Sequence, residues 1–191
     1  MRWTDAPVDL PLQPMSALQQ RMPQVAEALT EGPGLQVVVL DSVRAAVMAH
    51  LRASGDEQGG LLVGEVFAVD PAAVETCRVV VVRQAIAALD FSSSGISLRM
   101  ESGVWERARL SRRPDELVVG WYHSHPGLGA VFSSTVRRTQ AAFFPHPYSV
   151  GWVVDPLRGE DAFFVGRDCA APGALLRLDD RKACDRAPAP T

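Results

Sequence analysis

The chain has 191 residues, of which 47% are hydrophobic and 21% are charged, and its formal net charge is −3 at pH 7. This length suits one domain with a sizeable core and short extensions. The small negative charge gives no electrostatic reason to expect a nucleic-acid partner. No apolar run approaches the roughly 18 residues that a membrane span needs, so no membrane association is expected. The N-terminal residues lack the apolar segment of a signal peptide.

Cysteine usage favours a cytoplasmic protein. Cys77, Cys169 and Cys184 make an odd number without CxxC spacing. A disulfide framework is therefore not expected, and a reducing cytoplasm fits best. We predict structural roles for the three thiols, because none has the surroundings of a recognisable nucleophile.

Hydrophobic periodicity predicts helices that alternate with short strands. The predicted helices cover residues 15–30, 41–53, 102–112 and 134–144. The predicted strands cover residues 35–40, 57–69, 74–86, 96–100, 117–122, 149–154 and 162–165. Pro23 should kink or split the first helix, and Asp41 or Ser42 should cap the second. The layout indicates a mixed sheet with helices on its faces, α/β or α+β in class.

The pattern divides the chain into three parts. Residues 1–34 form an N-terminal extension that carries the first predicted helix, which either covers the domain or contacts a partner. Residues 35–168 form the domain. Residues 169–191 form a tail rich in Ala, Pro and charge, which we expect to be partly disordered.

Two histidines follow the buried strand over residues 117–122. In a strand, residues two apart point to the same face, so His123 and His125 should project their imidazoles to one side. Two neutral imidazoles at a strand end are a natural pair of zinc ligands. Pro126 then ends the strand, and the hydroxyls of residues 133–135 can cap the next helix.

This stretch resembles the JAMM (MPN+) metalloisopeptidase signature, His-x-His-Pro-x6-Ser-x-x-Asp. His123, His125 and Ser133 stand at the required spacing. Where the family carries its aspartate zinc ligand, this chain has Val136. Residues 57–64 match a second pattern of the family, Glu-x-x-Gly-x-Leu-x-Gly. The resemblance covers residues 35–168, and the sequence in this range looks like that of bacterial members of the family.

The resemblance implies a single JAMM/MPN domain with a cytidine-deaminase-like mixed sheet. It implies hydrolysis after the C-terminus of a ubiquitin-like protein, which alone or in its conjugates would be the partner. Zn2+ would be held by His123 and His125, with Glu57 as general base and Ser133 as oxyanion donor. By position, residues 88–101 correspond to the segment beside which the substrate tail adds as a strand.

Each of these residues also has an ordinary explanation. Glu57 alone would be read as a loop glutamate, and Ser133 as a helix cap, a role compatible with catalysis. His50 and His146 are better explained as satisfied or surface histidines than as ligands.

Val136 conflicts with the implied chemistry, because a valine cannot coordinate a metal. Loss of the carboxylate also removes a negative charge that helps to hold the dication. We therefore expect weak or absent zinc binding and reduced turnover.

Two hypotheses follow. The chain is either a JAMM isopeptidase with a disabling or partly disabling change, natural or introduced, or an MPN− pseudoenzyme. The pseudoenzyme would bind a ubiquitin-like tail or a partner subunit without cutting it. A nucleotide deaminase is disfavoured, because the Pro-Cys-x-x-Cys ligand pair is missing.

Overall fold

The computed structural model describes residues 10–29, 32, 34–89, 91–94, 97–100 and 102–182. The helices are α1 (Met15–Arg21), α2 (Pro23–Ala28), α3 (Asp41–Arg52), α4 (Ser102–Ser111) and α5 (Ser134–Phe143). The strands are β1 (Gln13–Pro14), β2 (Gln36–Leu40), β3 (Gly59–Ala68), β4 (Cys77–Ala87), β5 (Phe91–Ser94), β6 (Ser97–Met100), β7 (Leu117–Ser124), β8 (Val150–Asp155), β9 (Glu160–Val165) and β10 (Ala174–Leu178). A bilayer crossing needs about 20 apolar residues in one helix, and no helix in the described ranges meets that requirement.

Eight of the strands form one mixed sheet in the order β10-β2-β4-β3-β7-β8-β9, with β1 paired to β3. Strand β3 is antiparallel to β4 and β7, and β8 is antiparallel to β9. The pairs β10–β2, β2–β4 and β7–β8 are parallel. β5 and β6 form a separate two-stranded hairpin. This mixed sheet with flanking helices confirms the predicted fold class.

Helix α3 covers one face of the sheet. Its buried side chains Val43, Val47 and Leu51 recur at helical spacing, as the sequence predicts. They pack against every second residue of the neighbouring strands. These strand residues are Val37, Val39, Leu62, Val66, Val80, Val82, Val150, Trp152 and Val154.

The other helices cover the opposite face. Helices α1 and α2 lie on β2, β3 and β4, and the residues buried there are Leu18, Met22, Val25, Val38, Phe67, Val79 and Val81. Helices α4 and α5 lie on β3, β7 and β8, and the residues buried there are Leu61, Val63, Val104, Ala108, Trp121, Val136 and Val153. The face under α4 and α5 is the one that contains the histidine pair.

Asp161 on β9 joins the two ends of the sheet. Its carboxylate accepts from Arg44 of α3 at 2.9 Å and lies 3.6 Å from Arg177 of β10. In a flat sheet, six interstrand spacings of about 4.8 Å would separate β9 from β10 by roughly 29 Å. The contact between these edge strands therefore requires the sheet to curl around α3.

Pro23 splits the first predicted helix, as expected. Helix α1 ends at Arg21, and α2 begins at Pro23, where a proline ring is tolerated in the first turn. The predicted cap of α3 is wrong, since neither Asp41 nor Ser42 caps the helix through its side chain. Instead, the Asp180 carboxylate accepts from the Ser42 amide at 2.9 Å and also bonds to the Ser42 hydroxyl.

Three strands are absent from the sequence prediction. The two-residue strand β1 lies in the N-terminal extension, β5 lies in the segment predicted as a loop, and β10 lies in the predicted tail, where it pairs with β2 in parallel. Partners far along the chain decide β1 and β10, and short local patterns do not reveal them. Strand β5 instead pairs with β6, the next strand in sequence. Residues 1–9 and 183–191, which include Cys184, lie outside the described part of the chain.

The N-terminal helices are tied to the sheet by a buried anion. Glu65 of β3 is fully buried, lies 2.6 Å from Arg21 of α1, and also pairs with Arg83 of β4. Burial raises the pKa of the Glu65 carboxyl, and the two guanidinium groups oppose this rise. The first predicted helix therefore packs on its own domain.

Removal of one cation should expose the cost of this buried charge. We expect Arg83→Met to lower the free energy of unfolding by about 3 kcal/mol, because it leaves a buried carboxylate short of a partner. Urea denaturation measures this loss. The double variant Glu65→Leu with Arg83→Met should be more stable than the single variant, and equal or lower stability would contradict the explanation.

Candidate metal centre

A bulge in β7 decides where its last residues point. The pairing of β7 with β3 shifts register between Val118 and Gly120. At Gly120, a Cβ atom would lie 1.9 Å from the carbonyl oxygen of Val150, so no other residue fits without a shift of the backbone. Across the bulge the alternation breaks, since Val119 faces α3 whereas Trp121 faces α4 and α5.

Beyond the bulge, His123 and His125 lie side by side, and His123 stacks on Trp121 on the face that α4 and α5 cover. His123 is fully buried and His125 is 7% exposed. Their Nε2 atoms lie 3.2 Å apart, and their ring planes are inclined by 78°. Two nitrogen ligands on a tetrahedral zinc, each about 2.05 Å from the metal, would lie about 3.3 Å apart. The separation therefore fits two ligands of one zinc ion, and equally a hydrogen bond between two neutral imidazoles.

The electrostatic surroundings keep His123 neutral. Burial, helped by the adjacent His125, lowers the pKa of His123 well below its usual value. A neutral ring offers its Nε2 lone pair to a metal without competition from a proton. The Nδ1 atoms of both rings are buried and have no hydrogen-bond partner within the described residues. This differs from most histidine metal ligands, whose second nitrogen donates to an orienting acceptor.

The backbone that carries Glu57 runs beside this pair. Gly59 lies opposite His123 in the β3–β7 register. The Ser124 amide donates to the Gln58 carbonyl at 2.8 Å, and the Gln58 amide donates to the Ser124 hydroxyl at 2.9 Å. Glu57 is the residue immediately before Gln58 and is half-buried. The structure thus brings the predicted base segment next to the histidine strand.

Ser133 and Val136 begin helix α5. Ser133 is its N-cap, and its hydroxyl accepts from the Val136 amide at 3.3 Å, so the capping role predicted for the hydroxyls of residues 133–135 is confirmed. Val136 is 2% exposed and belongs to the same apolar cluster as Trp121, Phe132 and Val153.

Among the described residues, the imidazole pair is not joined by a third metal-binding side chain. In the described ranges, no group of three His, Cys, Asp or Glu side chains is placed to hold a metal. Catalytic zinc sites use three protein ligands and leave one position open. The imidazole pair fits two of these ligand positions, and the valine does not fit the third.

The carboxylate of Asp155 holds the loop after His125. The sequence indicated this residue only as part of a turn. Asp155 at the end of β8 is fully buried. Burial alone would raise the pKa of its carboxyl, but four backbone amides donate to it and together lower the pKa to about 2. The four donors are Gly127, Gly129, Arg158 and Leu157, at 3.0, 2.8, 3.1 and 3.0 Å.

This carboxylate joins two turns that flank the candidate centre. The His125 amide donates to the Val154 carbonyl at 2.8 Å, so the end of β8 holds the backbone of the second histidine and Asp155 holds the residues after it. An aspartate before proline in a turn is a local signal for amide binding. The contacts to Gly127 and Gly129 become visible only in the fold.

The two remaining histidines lie apart from this centre. His50 bonds through Nδ1 to the hydroxyl of Tyr122 at 2.9 Å. His146 is exposed and stacks on Tyr148 with 5.0 Å between ring centroids. Both positions match the expectation of a satisfied and a surface histidine.

Comparison with known proteins identifies the family. A family model described as prokaryotic homologs of the JAB domain matches residues 40–156. The chain belongs to this family. The JAMM/MPN resemblance is thereby confirmed, and with it a relationship to the metalloisopeptidases of the Rpn11 type.

Individual relatives agree with this assignment. "Ubiquitin carboxyl-terminal hydrolase RPN11" of Saccharomyces cerevisiae is 36% identical over 76 residues, which is 37% of this chain and 25% of that protein. The "26S proteasome regulatory subunit RPN11" of Eremothecium gossypii is 31% identical over 151 residues, which is 74% of this chain and 46% of that protein. The chain thus spans less than half the length of these two relatives.

A solved structure supports the JAB fold. The solution structure of a protein from Desulfitobacterium hafniense aligns with a TM-score of 0.56 and 19% identity. The alignment covers 75% of this chain and 93% of the other. At this identity, the likeness concerns the fold alone.

Asp155 gives the JAB domain of this chain a pH-dependent stability. Its pKa of about 2 in the folded chain lies below the value of 3.8 that an aspartate has when exposed to water, so its contribution is complete above about pH 4 and is lost as the pH falls towards 2. We expect Asp155→Asn to be less stable than the unaltered chain at pH 5. The difference should shrink steadily between about pH 4 and 2 in urea denaturation. A difference independent of pH would contradict this account.

Proposed function

We propose that this chain has the framework of a JAMM-type isopeptidase or peptidase that cleaves after the C-terminus of a ubiquitin-like protein, and that Val136 impairs its activity. The observation that carries the proposal is the pair of Nε2 atoms, from His123 and His125, 3.2 Å apart beside the segment that bears Glu57. The family relationship supports the reaction class.

In this proposal, His123 and His125 would hold a zinc ion. When bound, the ion would act as a Lewis acid that polarises the scissile carbonyl and acidifies water. The Glu57 carboxylate accepts a proton from the attacking water and passes it to the leaving amine. Burial around the imidazoles excludes bulk water, which strengthens every polar interaction there.

Ser133 can serve both its roles at once. Its oxygen accepts a hydrogen bond from the Val136 amide, which leaves its hydroxyl proton available for donation. We infer that this proton is donated to the oxyanion that develops on the scissile carbonyl. The position at the start of α5 adds the positive end of the helix dipole.

The substitution Val136→Asp tests this function directly. We expect it to raise zinc affinity at least 10-fold, because even loss of a group that orients a ligand costs 10- to 100-fold. It should also produce cleavage of a ubiquitin-like protein fused through its C-terminus to a reporter. Zinc content by mass spectrometry, zinc titration and reporter release measure these gains.

The matched control for this test is Val136→Asn, which places a polar group of the same size in the apolar cluster without the anionic ligand. It should gain little zinc and no cleavage. If the unaltered chain already holds one tight zinc ion and cleaves rapidly, our account of Val136 is wrong and another ligand completes the site.

A second candidate function is a binding scaffold of the MPN− type. The observation in its favour is the burial of Val136 among Trp121, Phe132 and Val153, where it contributes to a packed core. On this hypothesis the unaltered chain binds a ubiquitin-like protein or a partner subunit without cleaving it. Failure of Val136→Asp to gain either zinc or turnover would favour this function.

Ser133→Ala, introduced into the Val136→Asp chain, separates the two roles of the serine. Loss of the cap should lower the free energy of unfolding by about 1 kcal/mol. Loss of an oxyanion donor should lower kcat by roughly 100- to 1000-fold. Denaturation curves and single-turnover kinetics give the two values, and a loss of stability without a loss of kcat would leave Ser133 with the capping role alone.

A further inference from the structure

Gln140 lies fully buried in α5 and holds the indole of Trp121. The Trp121 Nε1–H group donates to Gln140 Oε1 at 2.7 Å. The amide nitrogen of Gln140 donates to the carbonyl oxygens of Gly166 at 3.2 Å and Ser149 at 3.4 Å. Gly166 follows β9 and Ser149 precedes β8, so these two carbonyls hold the amide nitrogen of Gln140. The amide oxygen is thereby kept in position to accept from the indole.

The Trp121 indole stacks against the imidazole ring of His123. The ring centroids of Trp121 and His123 lie 4.6 Å apart, and the ring planes differ by 10°. Phe144 also stacks with the indole, at 5.9 Å and 4°. Because neighbouring rings and one hydrogen bond restrain it, the indole has a single orientation that it can impose on His123.

The His123 ring has no other orienting contact of the usual kind. A metal-binding histidine commonly donates its second nitrogen to a carbonyl or carboxylate, which fixes the ring plane. In the described part of the chain, the buried Nδ1 of His123 has no such acceptor. Among its ring contacts, Phe132 is tilted by 51° at 6.5 Å and His125 meets the ring edge-on, whereas Trp121 is nearly parallel to it at 4.6 Å. Stacking on Trp121 is therefore the contact best placed to fix the plane of this ring.

We propose that Gln140 is a positioning residue of the metal centre: by holding the Trp121 indole, it sets the plane of His123 and so directs Nε2 towards His125. The effect of Gln140 on zinc binding rests on the proposed function, whereas its effect on the orientation of the His123 ring does not. Ring orientation and zinc binding can therefore be tested separately.

The first test measures ring orientation without any metal. The chain has only four histidines, so their ring protons can be assigned by NMR. In the unaltered chain we expect the His123 ring protons to be displaced upfield by the ring current of Trp121. In Gln140→Met, which keeps the length of the side chain but removes its three hydrogen bonds, most of this displacement should be lost.

Two further variants separate positioning from general destabilisation. Gln140→Glu keeps an oxygen acceptor for the indole N–H and should retain the displacement. Asp161→Leu removes the acceptor of another indole, that of Trp152, which donates to Asp161 at 3.3 Å and stacks on Phe163. This control also removes the ion pairs of Asp161 with Arg44 and Arg177, so it perturbs the sheet on the face opposite His123 by more than one hydrogen bond. It should nevertheless leave the His123 signals in place.

The second test measures zinc alone, in the Val136→Asp chain. Gln140→Met should weaken zinc binding by roughly 10- to 100-fold, and Gln140→Glu should weaken it less. If Val136→Asp binds no zinc while Gln140→Met still moves the His123 signals, the proposed function fails and the positioning role stands.

Three results would overturn the positioning role. The first is the absence of an upfield displacement of the His123 ring-proton signals in the unaltered chain, a measurement that does not depend on the folding of any variant. The second is an unchanged displacement in folded Gln140→Met. The third is a loss of displacement in Asp161→Leu as large as that in Gln140→Met.

Discussion

At Gly120 the backbone of β7 passes so close to the Val150 carbonyl that the two strands leave no room for a side chain. The bulge at this point reverses the alternation of β7, so that Val119 before it faces α3 whereas Trp121 after it faces α4 and α5. In a strictly alternating strand, His123 would share the face of Val119. The side of the sheet on which the imidazoles meet thus depends on one glycine and one carbonyl.

The candidate centre is continuous with the hydrophobic core under α5. Trp121 stacks on His123, and the cluster that contains Trp121 also contains Val136, where the family signature has its aspartate. A carboxylate at this position would lose buried apolar contacts that valine retains. Under the proposed function, packing and metal binding therefore compete for the same volume at the start of this helix.

Long-range polar contacts hold the elements around this centre. Asp161 closes the curled sheet, Asp180 caps α3, and Glu65 ties α1 to β3. Asp155 does the same locally, by drawing the amides of two turns onto one carboxylate beside His125. Each is a buried or half-buried carboxylate satisfied by several donors, the condition under which a buried anion is tolerated.

Local patterns in the sequence determined much of the fold and the identity of the candidate residues. The helical spacing of Val43, Val47 and Leu51 predicts α3, and the apolar run before His123 predicts β7, because periodicity and turn chemistry act within a few residues. The strand-end pair His123 and His125 was evident from spacing, and the resemblance to the JAMM signature added Glu57, Ser133 and the exception at Val136. Their roles in zinc binding and catalysis remain predictions.

The tertiary structure alone decided which of these residues meet. The pairing of β10 with β2, the cap of α3 by Asp180 and the bulge at Gly120 each join segments far apart in the chain. So does the glutamine that holds Trp121 against the candidate ligand. No short window of sequence contains both partners of such a contact, and for this reason local propensity could name the candidate residues but not assemble the site.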